Sequence, residues 1–441
     1  MSTAPATLNR DILRLAVPAL GALVAEPLFL IVDSALVGHL GVTPLAGLGI
    51  ASAVLQTIVG LMVFLAYSTT PAVARRYGAG DRSAAVSVGI DGLWLALALG
   101  SILAVAGSLL TPALVGLFGA PAEVAEQAEI YLGISMWGLP AMLVVFAATG
   151  LLRGMQDTVT PLWIAGLGFA ANALLNWLFI YGLGWGIAGS AAGTIVAQWG
   201  MVAAYVVVVG RLARRYAASV RPHRDGVRGS ARSGGWLFLR TVSLRVALLS
   251  TVWVATALGA DELAGWQVAF TIFSTAAFAL DALAIAAQAL VGKGLGAEDQ
   301  PYVRRVLGRT VAWGIWFGVI VGGLIAASSG VIGLLFTGDP ELAALVQPAL
   351  IVLAIAQPVC GVVFVLDGVL IGAGDAKYLA IVGALNLLPF VPALAVVAAL
   401  QPTGAAGLAW LSVSFFGVYM LARLATLGWR VRGTDWMTAG A

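Results

Sequence analysis

The chain has 441 residues, of which 61% are hydrophobic and only 10% charged, with a mean hydropathy of +1.00 and a formal net charge of +3. Soluble domains carry about a quarter charged residues. The composition therefore excludes a soluble enzyme or binding module and requires a polytopic, all-α membrane protein. The pI near 9.2 reflects loop arginines and is no argument for a nucleic-acid partner. One cysteine, Cys360, and two histidines leave no intrachain disulfide, no cysteine-based metal cluster and no basis for a His-built metal centre, so neither a metal nor another cofactor is expected. The polar start (MSTAPATLNRD) runs into a long apolar stretch with no small-residue cleavage pattern behind it, which predicts a retained first span.

Runs long enough to cross about 30 Å of hydrocarbon fall near 12–36, 45–74, 86–115, 127–152, 159–182 and 186–210. After a polar, Arg-rich stretch (211–235), six more fall near 236–259, 263–292, 304–333, 343–372, 377–400 and 404–428. Twelve spans result. The expected organisation is an N-terminal lobe (1–210), a cytoplasmic connector (211–235), a C-terminal lobe (236–430) and a cytoplasmic tail (431–441). Positive charge tests the count. Arg10, Arg14, Arg75, Arg76, Arg82, Arg153, the run Arg211 to Arg232, Lys293, Arg304, Arg305, Arg309, Lys377, Arg430 and Arg432 fall on the side of the termini. The opposite loops carry Glu123, Glu126, Asp261, Glu262, Asp339 and Glu341 and no Lys or Arg. This segregation puts both termini in the cytoplasm of a multi-pass plasma (cell inner) membrane protein. The connector arginines read as inside determinants and contacts to anionic membrane lipid.

The halves match at a constant offset of 218 residues. Gly78, Ala79 and Asp81 recur as Gly296, Ala297 and Asp299; Pro140 recurs as Pro358; Gly150, Gly154 and Asp157 recur as Gly368, Gly372 and Asp375. A gapless run of this kind is a duplication. An even number of spans per half gives both repeats one orientation, the build of a transporter whose two lobes alternate access to a shared cleft.

Span 1 holds the first candidates. Glu26 and Asp33 lie seven residues apart, on nearly one helical face and roughly 10 Å from each other, with Pro27 between them as an expected bend. Acids in hydrocarbon face a protein interior or a watery cavity. Burial disfavours the charged form of a carboxyl group, and an acid that can take a proton at physiological pH suits ion coupling. The other reading is that each acid only holds helices together. Shifted by 218, Asp33 falls on Thr251 and Glu26 on Leu244, so the pair belongs to the N-terminal half alone. In span 5, Asn172 and Asn176 share a face at i, i+4 and could partner the span 1 acids or make ordinary interhelical bonds. Gln198 and Tyr131 read as packing residues. In the second half, Arg245 in span 7 and Asp281 in span 8 sit at similar depth and are expected to form a structural ion pair. Asp91 and Asp367 are expected near cytoplasmic helix ends, at the membrane interface. The glycines around Lys293 lack a preceding strand and a GxxxxGK[ST] pattern, so they are no phosphate loop.

Several stretches resemble one family. Val32 to Gly41 (VDSALVGHLG) resembles the first-helix signature of the multidrug and toxic compound extrusion (MATE) family, DinF-like branch. Gly150 to Thr158 (GLLRGMQDT) resembles the end of that family's fourth span; Leu280 to Leu283, Gln288 to Val291 and Leu366 to Leu370 are similar to its second half. The resemblance implies twelve helices in two pseudo-symmetric lobes and a secondary efflux antiporter; a two-lobe monomer needs no partner to make its cavity. Its substrates would be small cationic or amphipathic compounds, exchanged for inward protons or sodium, with Asp33 as the coupling acid. It also implies that Asn172 matches a family asparagine, and that Asn176 stands where a second acid is often found. That departure raises Glu26 as a second titrating group and leans towards protons. Trp266 departs too, where many relatives have histidine. The main rival is a flippase for lipid-linked precursors in the same superfamily, which would need cavity cations to hold a pyrophosphate; Arg245 is the one residue in its favour. An enzyme has no nucleophile elbow or paired carboxylates on separate helices to support it.

Overall fold

The computed structural model describes the backbone of residues 5–336 and 340–438, and side chains over 7–334 and 343–438. Asp339, the side chain of Glu341 and residues 439–441 of the expected tail lie outside the described residues. Among the described residues the structure is helical, and twelve helices are long and apolar enough to cross a membrane. They are spans 1 (Thr7–Gly38), 2 (Val42–Gly78), 3 (Arg82–Gly116), 4 (Ala122–Gly154), 5 (Val159–Gly182), 6 (Gly186–Arg215), 7 (Arg224–Leu258), 8 (Ala260–Gly296), 9 (Gln300–Leu334), 10 (Ala343–Gly372), 11 (Ala376–Leu400) and 12 (Gly404–Arg432). Most outrun their apolar stretches by several residues, because a helix continues past the hydrocarbon wherever good helix formers such as arginine and alanine follow. The expected connector is the clearest case: its arginines close span 6 and open span 7, leaving only 216–223 between helices.

The chain divides into two compact units, one spanning residues 17–234 and the other joining the residues before 17 to those after 234. In the first unit span 4 is the central helix, packed by spans 2, 3 and 6. Span 10 takes the same place in the second, packed by spans 8, 9 and 12. Both are centred by small residues. A Cβ on Gly100 would lie 2.5 Å from the Cα of Pro140, and one on Gly318 would lie 2.6 Å from the Cα of Pro358. A Cβ on Gly150 would sit 2.8 Å from the carbonyl of Ala66, and one on Gly368 sits 2.6 Å from that of Ala284. Each of these four partners repeats at the 218-residue offset, so the duplication extends to backbone contacts. The caps repeat as well. Asp81 accepts the amide of Ala84 at 2.8 Å to start span 3, and Asp299 accepts that of Tyr302 at 2.9 Å to start span 9.

Chemistry differs where backbone does not. In the first unit Thr149 and Tyr205 share a hydroxyl–hydroxyl bond of 2.8 Å between spans 4 and 6. At the same offset, Asp367 of span 10 pairs with Arg423 of span 12 at 3.5 Å, and Arg240 of span 7 donates to the same carboxylate, its Nε at 3.0 Å. The carboxylate and both guanidinium groups are buried.

Within the first unit, residues 217–223 lie along span 3. Ser83 donates to the carbonyl of Ala217 at 3.3 Å, Ser87 accepts the amide of Ser219 at 3.1 Å, and Trp94 donates to the carbonyl of Val220 at 3.1 Å. Asp91 accepts the amide of His223 at 2.8 Å, with the imidazole Nδ1 at 3.5 Å. These four span 3 residues share a helix face. Asp91 is 2% exposed, which corrects its expected place at an open helix end. Asp367 is corrected in the same way. In the second unit the segment after span 12 turns back, burying Trp436 and Met437.

Candidate functional site

Asp33 is a buried acid bonded from three different helices. It projects from span 1 into the meeting point of spans 4, 5 and 6, and is 4% exposed. Asn176 donates its amide nitrogen to Oδ1 at 2.7 Å, Ser190 donates its hydroxyl to the same oxygen at 2.6 Å, and Tyr131 donates to Oδ2 at 3.2 Å. Asn176 and Ser190 also touch at 3.4 Å. One turn on, Asn172 donates to Thr194 at 2.9 Å. A buried carboxylate is tolerable only when its lone pairs are filled. Here three neutral donors bond to it, and among the described residues no Lys, Arg or His nitrogen lies within ion-pair distance.

Local sequence explains the geometry. Ser190 and Thr194 are four apart on span 6, as Asn172 and Asn176 are on span 5, so two polar stripes face each other. Small residues let the helices close. A Cβ at Gly193 would collide with Oδ1 of Asn176, and one at Gly189 would lie 2.7 Å from the carbonyl carbon of Phe179. The amide oxygens of Asn172 and Asn176 are buried and accept no hydrogen bond within the protein. The site therefore offers one carboxylate and two spare amide oxygens, a set suited to a proton or a small cation.

The sequence-derived residues divide accordingly. Asp33 and Asn176 are brought into direct contact. Asn172 belongs to the same polar stripe but bonds Thr194, not an acid. Tyr131, read from sequence as packing, is a ligand of Asp33. Ser190 and Thr194 were missed; their i, i+4 spacing, matching that of the two asparagines, was the available signal. Glu26 does not join the cluster. Its side chain is exposed, and among the described residues it has no hydrogen-bond or ion-pair partner. Span 5 meets that stretch of span 1 through apolar groups, Leu162 against Gly21 and Phe169 stacked on Phe29 at 5.3 Å. Seven residues keep the two acids on one stripe but move Glu26 beyond the polar part of span 5. Span 1 stays helical through Pro18 and Pro27, although each ring withholds an N–H from the helical ladder.

The expected Arg245–Asp281 pair is not formed: Arg245 makes no ion pair with Asp281. The buried cations of the second unit are Arg240 and Arg423, both on Asp367, with Asp281 acting electrostatically on Arg423. Arg245, five residues past Arg240, lies half-buried on another face of span 7. Trp266 is a core residue, stacked on Phe416 at 5.5 Å. The counterparts of Asn172, Asn176 and Ser190 at the 218-residue offset are Phe390, Leu394 and Leu408, all buried and apolar, so the polar site occurs once.

Known proteins match along the chain. The MatE family model covers residues 18–178 and 241–397. Protein DETOXIFICATION 44, chloroplastic, of Arabidopsis thaliana is 29% identical over 436 residues, covering 96% of this chain and 82% of that protein. DNA damage-inducible protein F of Escherichia coli (strain K12) is 27% identical over 83% of this chain and 81% of its own. Multidrug resistance protein NorM of Burkholderia vietnamiensis is 30% identical over 85% and 84%. The Vibrio cholerae MATE transporter VcmN, in its bent form, superposes with a TM-score of 0.88 at 20% identity, covering 98% of this chain and 99% of that one. With both halves matched and twelve spans in the expected order, the chain belongs to the MatE family and is a multi-pass membrane transporter, not an enzyme.

Proposed function

We propose that the protein is a secondary active efflux antiporter that exports cationic or amphipathic compounds in exchange for inward protons, coupled through Asp33. The observation that carries the proposal is the environment of Asp33: a buried carboxylate held by three neutral donors, beside two amide oxygens with no donor. A carboxylate paired with arginine is locked in its charge state, whereas one held by amide and hydroxyl groups can exchange its charge for a proton.

The cycle follows from the bonds. Ionised Asp33 accepts from Asn176, Ser190 and Tyr131. When it takes a proton from outside, one carboxyl oxygen becomes a donor. Asn176 can answer by rotating its amide, presenting oxygen where it had presented nitrogen, a reversal that needs no proton of its own. Protonation removes the attraction for a cationic substrate, span 1 shifts at Pro27, and substrate leaves. The lobes then turn inward and the proton is released to the cytoplasm. Sodium coupling uses the same ligands and is the alternative arm of the test. The protein works in the plasma membrane with both termini cytoplasmic. A lipid-precursor flippase fits less well, because Arg240 and Arg423, the buried arginines of the second unit, are occupied by Asp367.

The test uses proteoliposomes with an internal pH-sensitive dye, challenged with ethidium, with and without sodium. Proton movement that requires substrate and is lost in Asp33→Asn supports the proposal. Sodium-dependent transport without proton movement changes the ion. Undiminished coupled transport in Asp33→Asn removes Asp33 from the mechanism.

A further inference from the structure

A second hydrogen bond between spans 1 and 5 lies one helical turn from Asp33. The hydroxyl of Tyr181 donates to the main-chain carbonyl of Leu36 at 2.6 Å. That carbonyl belongs to the last turn of span 1, where acceptors outnumber helical donors. The amides beyond the helix end go elsewhere: His39 to Ala35 at 3.3 Å, Leu40 to Val37 at 2.9 Å and Gly41 to Gly38 at 3.2 Å. Tyr181 thus satisfies an acceptor that the backbone leaves open.

Its placement is not ordinary helix. Residues Leu178–Gly182 form a π-type turn, which begins two residues after Asn176. An inserted residue of this kind rotates the side chains C-terminal to it about the helix axis, and such turns recur at functional sites. Gly189 makes room for it, its missing Cβ meeting the backbone of Phe179 and Ile180, and the next residue is Ser190, a ligand of Asp33. Span 5 therefore grips span 1 twice: by Asn176 on the Asp33 side chain, and by Tyr181 on the Leu36 main chain.

From this geometry we propose that Tyr181 is a positioning residue for ion coupling, a latch that holds the outer turn of span 1 in the register where Asp33 meets its three donors. The proposal rests on the coupling role of Asp33. Protonation undoes the side-chain grip, and the main-chain grip then sets how readily span 1 moves. The groups facing Asp33 are Tyr131 of span 4, Asn176 of span 5, and Ser190 of span 6; its own helix also carries Arg10, Asp11, Arg14 and Glu26, with His39 just past its end. Because the ionised carboxylate accepts all three bonds, releasing the register favours proton uptake and moves the pH dependence of transport to the alkaline side.

The experiment compares wild type, Tyr181→Phe, Tyr205→Phe and Asp33→Asn as full-length protein in proteoliposomes. Tyr205 is a control hydroxyl in the same unit, bonded to Thr149 away from span 1. Tyr181→Phe is expected to shift the transport pH midpoint upward by about half to one unit, with Tyr205→Phe unshifted. Hydrogen exchange over residues 36–41, a readout independent of transport, is expected to rise in Tyr181→Phe alone. Unchanged exchange and an unshifted midpoint, in a background where Asp33→Asn abolishes coupling, overturn the latch and leave the antiport reading standing. Faster exchange with Asp33→Asn still coupled leaves the latch as a structural contact and sinks its coupling role together with the antiport reading. Lower thermal stability with neither shift marks Tyr181 as an interfacial anchor only and also overturns the proposal.

Discussion

The side-chain amide of Asn176 meets the carboxylate of Asp33 at 2.7 Å, joining residues 143 apart in the chain. This contact puts an uncharged group where a second acid would be a repelling charge. Restoring that acid with Asn176→Asp would set two carboxylates in contact, and such pairs hold one proton between them. The pH profile of transport in the variant is expected to move to the alkaline side by about one unit or more. A profile identical to wild type would show that Asn176 does not sense the state of Asp33.

Gly193 gives the contact its room. Alanine there would drive a Cβ into Oδ1 of Asn176 and to 2.9 Å from its backbone nitrogen. Gly193→Ala is expected to cost about 1–3 kcal/mol in a thermal melt and to cut coupled transport more than its stability loss explains. Gly200→Ala, at a position open to added volume, is the matched control and should leave both unchanged.

The second unit keeps its buried charge for structure. Asp367 faces both Arg240 and Arg423, so Asp367→Ala leaves two buried guanidinium groups short of a counter-charge. Breaking one side of such a cluster costs about 3–5 kcal/mol. A combined Asp367→Leu, Arg240→Met, Arg423→Leu variant should recover part of that loss, read by fluorescence-detected unfolding. A triple variant less stable than the single one would contradict the structural assignment.

The segment between spans 6 and 7 is held against span 3 by backbone-directed bonds ending at Asp91. Gly226 lies so close to this carboxylate that a Cβ would strike Oδ2. Gly226→Ala is expected to release the segment and speed its cleavage by trypsin after Arg224. Asp91→Asn, which keeps an acceptor for the His223 amide, should accelerate cleavage less. Equal and unchanged cleavage in both variants would show that the dock does not hold the segment.

Much of this architecture was legible in the sequence because membranes impose strict rules. Backbone polar groups must be satisfied within a span, so twelve apolar runs become twelve helices. The 218-residue offset identified in advance Pro140 with Pro358 and Gly150 with Gly368, which sit in matched close contacts; Gly100 and Gly318, which pack on the two prolines, came only from the structure. Asp33 was recognisable because an acid in an apolar run is costly wherever it falls. Its ligands were less so: hydroxyl groups such as those of Tyr131 and Ser190 are common in apolar helices and carry no cost signal by themselves.

The sequence alone determined the class, the span count, the duplication and the presence of one polar face on span 1. Tertiary structure decided which polar residues share that face. Helical periodicity fixes the direction of a side chain but not the neighbour it meets, so Glu26 and Asp33, alike on a helical wheel, end in different surroundings. Depth along a helix likewise pointed to Arg245, whereas Arg240, five residues earlier on span 7, is the residue that meets an acid of the second unit. Only the packing of spans 7, 10 and 12 around Asp367 settled that, because a buried charge is stable where opposite charges converge on it, and convergence is a property of the assembled helices.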